Sequence, residues 1–243
     1  MGEVISLLSG TGGMGKSCLT AGVALALAKN GRNVLCVDCQ PGLGTLDIYL
    51  GMESLDVLSY TDICRGDYPL SRAAAHPETP RLRFLAAPVR LSADEAVEQA
   101  FGAMLRRAKA EFDYILLNAP AGLEEMALLA AEHADRCILV SGIDPASIRT
   151  ASRAADHLQL MGVENIRLVV SRVHPGRLRA MKLNVDDVID RVGVPLLGLV
   201  PEDEQVLLSA AAGSFPAGKK AAFAAYGRIA MRIQGKPVPV SIR

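Results

Sequence analysis

The chain has 243 residues, of which 50% are hydrophobic, so it is long enough and apolar enough to bury a large core. Its 26 basic and 26 acidic residues cancel, which leaves no global charge to attract nucleic acid or an anionic membrane surface. Its apolar runs are too short to span a membrane, and its first residues lack the basic region of a signal peptide. We therefore expect one domain over residues 1–243, located in the cytoplasm.

The five cysteines are an odd number and lie mostly in apolar segments, which is typical of unpaired thiols in a reducing compartment. Cys36 and Cys39 have the spacing of a C-x-x-C motif. However, no second pair and no nearby histidine complete a tetrahedral zinc shell. We expect free thiols rather than a metal or redox centre.

Short apolar segments alternate with segments of helical period along the chain. The predicted strands are 4–8, 34–37, 82–87, 114–117, 137–140, 166–170 and 196–200. The predicted helices are 19–29, 93–110, 146–161 and 185–192, with a further helix covering 226–233. Apolar strands without polar alternation, separated by helices, are typical of a parallel sheet covered on both faces. We predict an α/β fold with a doubly wound, mainly parallel sheet and helices on both faces.

The first predicted strand leads into S-G-T-G-G-M-G-K-S-C, which fits the phosphate-binding pattern G-x-x-x-x-G-K-[ST] between a strand and a helix. Glycines let backbone N–H groups surround phosphate oxygens, Lys16 neutralises β- and γ-phosphate charge, and Ser17 offers a hydroxyl to Mg²⁺. We predict that a nucleotide binds here with Mg²⁺. The predicted nucleotide-binding residues of this loop are Gly10, Thr11, Gly12, Gly13, Met14, Gly15, Lys16, Ser17 and Cys18.

Four further segments, at 37–51, 113–124, 171–177 and 200–207, accompany the loop. Their sequences are V-D-C-Q-P-G-L-G-T-L-D-I-Y-L-G, D-Y-I-L-L-N-A-P-A-G-L-E, S-R-V-H-P-G-R and V-P-E-D-E-Q-V-L. With the loop, they resemble the MinD/ParA family of P-loop ATPases, which have a deviant Walker A motif, and the last two segments are more similar to its MinD branch.

The resemblance implies an ATP-dependent switch in cell-division site placement that forms a homodimer when ATP is bound and works with a protein partner. It also implies that Asp38 is the acidic residue near Mg²⁺. By the same resemblance, Arg172 and the segment Pro201, Glu202 and Asp203 flank the adenine.

Three positions depart from the family pattern. Thr11 replaces the signature lysine that reaches the partner's nucleotide, and Gln40 replaces a second acidic residue that helps to place the attacking water. Asn118 replaces the aspartate that ends the Walker B strand. The resemblance assigns catalytic positions to Lys16, Asp38 and Gln40 and metal-binding positions to Ser17, Asp38 and Asn118. Since the binding loop is intact, we expect nucleotide binding with weak or absent hydrolysis.

Two other functions remain open from the sequence. One is a non-catalytic, nucleotide-bound localisation scaffold for a pilus or secretion apparatus, and the other is a ParA-like DNA segregation ATPase. The neutral charge disfavours nucleic acid as a ligand. Pro237 and Pro239 forbid a further helix at the C-terminal end, so we expect no autonomous amphipathic membrane anchor.

Overall fold

A computed structural model describes residues 1–89, 95–212, 215 and 221–241, with backbone alone for 95–98. Within these ranges an eight-stranded sheet forms the centre of the fold. Its strands are β1 (Glu3–Ser9), β2 (Val34–Asp38), β3 (Ala74–His76), β4 (Thr79–Leu85), β5 (Tyr114–Ala121), β6 (Arg136–Ser141), β7 (Ile166–Val173) and β8 (Leu196–Pro201). The strand order is β3-β4-β2-β5-β1-β6-β7-β8. All neighbouring pairs are parallel except β3 and β4, which are antiparallel.

Helices connect the strands and cover the sheet. They are α1 (Lys16–Lys29), α2 (Leu46–Leu50), α3 (Tyr60–Cys64), α4 (Glu95–Glu111), α5 (Glu125–Glu132), α6 (Pro145–Leu160), α7 (Pro175–Ala180), α8 (Val185–Val192), α9 (Glu204–Ala211) and α10 (Ala221–Ile233). None of the helices in the described ranges combines the length and the apolarity that crossing a bilayer requires.

The predicted α/β fold is confirmed, and each predicted strand has a counterpart in the sheet. The predicted helix 93–110 corresponds to α4, although its expected first residues lie outside the described residues. The edge strand β3 and several short helices were not predicted. They are too short to show a hydrophobic period.

The strands are apolar on both faces because each face packs against helices. Along β1, Val4 and Leu8 contribute to the core beneath α4, α5, α6 and α8, whereas Ile5 and Leu7 contribute to the core beneath α1 and α10. This two-sided burial explains why the strand segments lack polar alternation. The helices α1 and α10 approach closely at Gly22, where a Cβ atom would lie 2.2 Å from the Tyr226 ring.

The parallel strands direct their carboxyl ends to one edge of the sheet, where ligands of such folds bind. The loop after β1 and the last residue of β2, Asp38, meet at this edge. Asn118 of β5 lies directly beside Asp38 in the strand register. Arg172 and Pro201, near the ends of β7 and β8, complete the far side of the edge.

Candidate nucleotide-binding site

A cleft of about 820 Å³ opens at this edge of the sheet. One wall is the loop before α1, and the opposite wall is the segment that follows β8. The predicted site residues that line it are Gly12, Gly13, Met14, Gly15, Lys16, Ser17, Cys18, Gln40, Arg172, Pro201, Glu202 and Asp203. The predicted residues outside this lining are Gly10, Thr11, Asp38 and Asn118; the last two are buried beneath the cleft.

The backbone of the loop requires glycine at particular positions. Gly13 and Gly15 have φ angles of 77° and 80°, in the left-handed region that side chains disfavour. A Cβ atom on Gly10 would lie 2.6 Å from the Cβ of Thr150 in α6, so only glycine fits between the loop and this helix. Gly12 has open space around it, on the side of the cleft. The sequence therefore folds into a loop whose backbone can approach phosphate oxygens closely.

Lys16 provides a buried positive charge on the floor of the cleft. Its side chain is only 6% exposed, and its Nζ donates to Asn118 Oδ1 at 3.2 Å. Burial lowers the pKa of Lys16 to about 8, even though the nearby Asp38 carboxylate favours the charged form. An anionic ligand at the helix start would restore the preference for the ammonium form.

Asp38 is held by backbone N–H groups of the loop that follows β2. Its Oδ1 accepts from the Gln40 N–H, and its Oδ2 accepts from the Thr45 and Leu46 N–H groups, each at 3.2 Å. Asn118 Nδ2 also donates to Asp38 Oδ1 at 3.1 Å. Burial raises the pKa of Asp38, although these hydrogen bonds favour the carboxylate and act in the opposite direction.

Ser17 connects Asn118 and Thr45 at the top of this network. Asn118 Nδ2 lies 3.3 Å from Ser17 Oγ, and the Thr45 hydroxyl donates to the same oxygen at 3.4 Å. The structure thus brings together all three residues assigned to the metal position, Ser17, Asp38 and Asn118. Thr45 was missed as a site residue, although the segment 37–51 that carried the family resemblance contains it.

Gln40 and Thr11 occupy different surroundings. Gln40 lines the cleft beside the loop, whereas Thr11 lies half-buried outside the lining. Neither side chain carries a charge, so neither can neutralise phosphate or act as a carboxylate base. Tyr49 and Tyr226 also line the cleft and were not predicted, because neither belongs to a phosphate-binding pattern.

The far wall of the cleft is organised by Arg172. This residue has a φ of 54°, which is unusual for a side-chain-bearing residue, and its Nη1 donates to the Gly13 carbonyl oxygen at 3.1 Å. Glu202 Oε1 lies 3.8 Å from Arg172 Nη2 and accepts from Arg177 Nη1 at 3.0 Å. Asp203 Oδ1 accepts from the Gln205 N–H at 3.0 Å and thereby caps α9. Among the predicted adenine-flanking residues, Arg172 is therefore bonded to the phosphate loop and Glu202 lies beside Arg172, whereas Asp203 caps α9.

A glycine-rich loop between the first strand and first helix of a doubly wound sheet, with a lysine buried at its end, defines a P-loop nucleotide-binding protein. The family described as the CobQ/CobB/MinD/ParA nucleotide binding domain matches residues 5–217. The chain belongs to this family, and the MinD/ParA resemblance of its sequence is confirmed.

Individual relatives agree with this assignment. The septum site-determining protein MinD of Bacillus subtilis is 32% identical over 251 residues, covering 100% of this chain and 92% of the relative. A MinC:MinD cell division protein complex from Aquifex aeolicus matches with a TM-score of 0.88 and 30% identity, covering 98% of each chain. MinD of Pyrococcus horikoshii, complexed with Mg-ADP, matches with a TM-score of 0.80 and 25% identity over 96% of each chain. The protein is therefore MinD-like.

Proposed function

We propose that this MinD-like protein binds ATP or ADP in the cleft and acts as a nucleotide-dependent switch in cell-division site placement, with weak or absent hydrolysis. The observation that carries the proposal is the intact phosphate loop with Lys16 buried at its end. The relatives named septum site-determining protein MinD support the cellular role. The solved complex of a MinD with Mg-ADP supports the ligand.

The loop fits a nucleotide phosphate chain. The open space at Gly12 and Gly13 leaves room beside their backbone for phosphate oxygens, and α1 begins at this point without a side-chain cap from any described residue. Lys16 would bind the phosphates from the floor of the cleft, and Arg172 with residues 201–203 would flank the base.

The residues at the metal position fit Mg²⁺ less well than a pair of carboxylates would. Ser17 and Asp38 would hold the ion, whereas Asn118 offers a neutral amide in place of a negative charge. Bound Mg²⁺ would neutralise part of the phosphate charge. Among the described residues, His, Cys, Asp and Glu side chains form no cluster of three or more that could serve as an alternative metal site.

Weak hydrolysis follows from the side chains at the catalytic positions. Thr11 offers no cation, and the Gln40 amide can orient water but cannot accept its proton. Asp38 is a carboxylate close to Lys16, yet both of its oxygens already accept N–H groups. A missing cation in such a role reduces turnover by a factor on the order of 10³.

The assembly part of the proposal is a homodimer in the ATP-bound state that contacts a protein partner of the division or polar-localisation machinery. The MinC:MinD complex from Aquifex aeolicus supports a protein partner for this family. The five free cysteines support a reducing, cytoplasmic location.

Calorimetric titration with ATP and ADP, followed by a phosphate-release assay, tests the proposal. We expect both nucleotides to bind, and we expect the double variant Thr11→Lys/Gln40→Asp to release phosphate at least about tenfold faster than the unchanged protein. The matched control Thr11→Met/Gln40→Asp carries an uncharged side chain of similar length at position 11. It should therefore release phosphate more slowly than the lysine variant. Failure of ATP and ADP to bind overturns the nucleotide switch. Equal turnover in the unchanged protein and the lysine variant overturns the explanation of weak hydrolysis by Thr11 and Gln40.

A further inference from the structure

Asn118 occupies the centre of the polar network beneath the cleft. Its side chain is 0% exposed, and its amide is surrounded by partners from α1 and β2. The Nδ2 group lies 3.1 Å from Asp38 Oδ1 and 3.3 Å from Ser17 Oγ. The Oδ1 atom lies 3.2 Å from Lys16 Nζ and 3.4 Å from Thr20 Oγ1. An amide has two N–H donors and two acceptor lone pairs. Asp38 and Ser17 take both donors and Lys16 takes one lone pair, whereas the single Thr20 hydroxyl proton is shared between this oxygen and the Lys16 carbonyl oxygen, which lies 2.9 Å from Thr20 Oγ1.

The chemistry of the partners fixes which end of the amide faces each of them. A carboxylate can only accept hydrogen bonds, so the NH₂ group must face Asp38. A lysine ammonium can only donate, so the carbonyl oxygen must face Lys16. Asn118 therefore presents donors, not lone pairs, toward Ser17 and Asp38, the two side chains that would ligate a cation.

Asp38 has a hydrogen bond at each of its acceptor positions. A carboxylate has about four lone-pair positions. Three are occupied by the N–H groups of Gln40, Thr45 and Leu46, and the fourth by the Asn118 amide. These four hydrogen bonds hold the buried carboxylate in place without a cation, and the nearby Lys16 adds a smaller favourable charge.

A carboxylate at position 118 would behave in the opposite way. It would lie about 3 Å from Asp38, in the position where β2 and β5 pair Asp38 with residue 118. Two carboxylates at this distance repel each other unless a cation or a shared proton lies between them. The amide removes this requirement.

We propose that the cleft takes metal-free nucleoside di- and triphosphates, so that Mg²⁺ is not required for binding, and that Asn118 is the positioning residue responsible. This inference rests on the proposed nucleotide binding. The phosphate charge is met by Lys16 and by the backbone N–H groups of the loop. The amide of Asn118 holds Lys16, Ser17 and Asp38 in place whether or not a metal ion is present.

The test is a comparison of ADP and ATP dissociation constants in excess Mg²⁺ and in EDTA, measured by calorimetry on the full chain. For the unchanged protein we expect the two conditions to agree within about threefold. For Asn118→Asp we expect binding in EDTA to be at least about tenfold weaker than in Mg²⁺, because paired carboxylates disfavour each other's ionisation by one pKa unit or more. The control Asn184→Asp makes the same chemical change at the exposed cap of α8, where Asp caps equally well, and should behave like the unchanged protein.

The outcomes separate the two proposals. Nucleotide binding to the unchanged protein that is lost in EDTA overturns the metal-independent site but leaves the nucleotide switch standing. An Asn118→Asp variant that folds and remains insensitive to Mg²⁺ overturns the role of Asn118. No binding in either condition overturns the proposed function and this inference with it. If Asn118→Asp fails to fold, the comparison on the unchanged protein still decides whether the site needs metal.

Discussion

Replacement of Lys16 by methionine should separate nucleotide affinity from protein stability. The lysine ammonium has three N–H donors, and one of them contacts Asn118 Oδ1, which leaves two for phosphate oxygens. A hydrogen bond to a charged group contributes about 1.5–3 kcal/mol, so two such bonds amount to about 3–6 kcal/mol. We therefore expect Lys16→Met to weaken ADP binding by roughly 10²- to 10⁴-fold.

The same change should alter the stability of the nucleotide-free protein much less than its nucleotide affinity. Burial lowers the pKa of Lys16 to about 8, so the ammonium form still predominates at neutral pH but is less favoured than in water. Methionine has a similar length and removes this burial cost, but it also removes a charge near Asp38 and the donor to Asn118 Oδ1, so we expect the free energy of unfolding at pH 7 to change by less than about 2 kcal/mol. Urea denaturation measures the stability, and calorimetry measures the affinity. Lys29→Met, at the exposed end of the same helix, serves as the control that should change neither.

Two results would refute this reasoning. One is a Lys16→Met protein that binds ADP within about threefold of the unchanged protein. That result would mean that Lys16 makes no strong phosphate contacts in the unchanged protein. The other is a large loss of stability in the variant without nucleotide, since the buried ammonium would then stabilise the fold instead of serving the ligand.

Three further predictions concern Lys16, the glycines of the phosphate loop and the packing of α1 against α10. Since Lys16 has a pKa of about 8 and binds phosphate only when charged, ADP affinity should fall by up to about tenfold per pH unit above pH 8, measured by calorimetry across that range; a flat profile contradicts this. Gly10→Ala, whose Cβ would lie 2.6 Å from α6, should lower the free energy of unfolding by about 1–3 kcal/mol, whereas Gly12→Ala, in open space, should leave the urea midpoint unchanged. Gly22→Val should cost a similar amount, because a Cβ there would lie 2.2 Å from the Tyr226 ring, and an unchanged melting temperature would disprove tight α1–α10 packing.

Much of the fold could be predicted from short-range patterns. The apolar runs of β1, β2, β5, β6, β7 and β8 are long enough to identify strands, and the phosphate loop identifies the start of α1. The three-residue strand β3 and the five-residue helices α2 and α3 are too short to show a period, and packing against the sheet decides their conformation. The single-domain assignment stays a prediction.

The site could be predicted only where a motif is local. Residues 10–18 follow one another in the chain, so their cluster is visible in the sequence. Asp38 and Asn118 are in contact because β2 and β5 are neighbouring strands that pair these two residues. The two residues are 80 positions apart in the chain, so the sequence does not show this pairing. The same holds for Arg172, whose bond to the Gly13 carbonyl requires β7 and its left-handed backbone to lie opposite the loop. Sequence alone identified these residues by family resemblance. It could not show that the Asn118 amide donates the fourth hydrogen bond to the Asp38 carboxylate.

The central claim is that the protein holds ATP without cleaving it efficiently. The most direct measurement is a single-turnover experiment in which the full chain is loaded with ATP labelled on the γ-phosphate and then chased with unlabelled ATP in Mg²⁺. We predict that most of the bound label leaves as intact ATP. If most of it leaves as inorganic phosphate, the protein is an efficient ATPase despite Thr11, Gln40 and Asn118, and the claim is wrong.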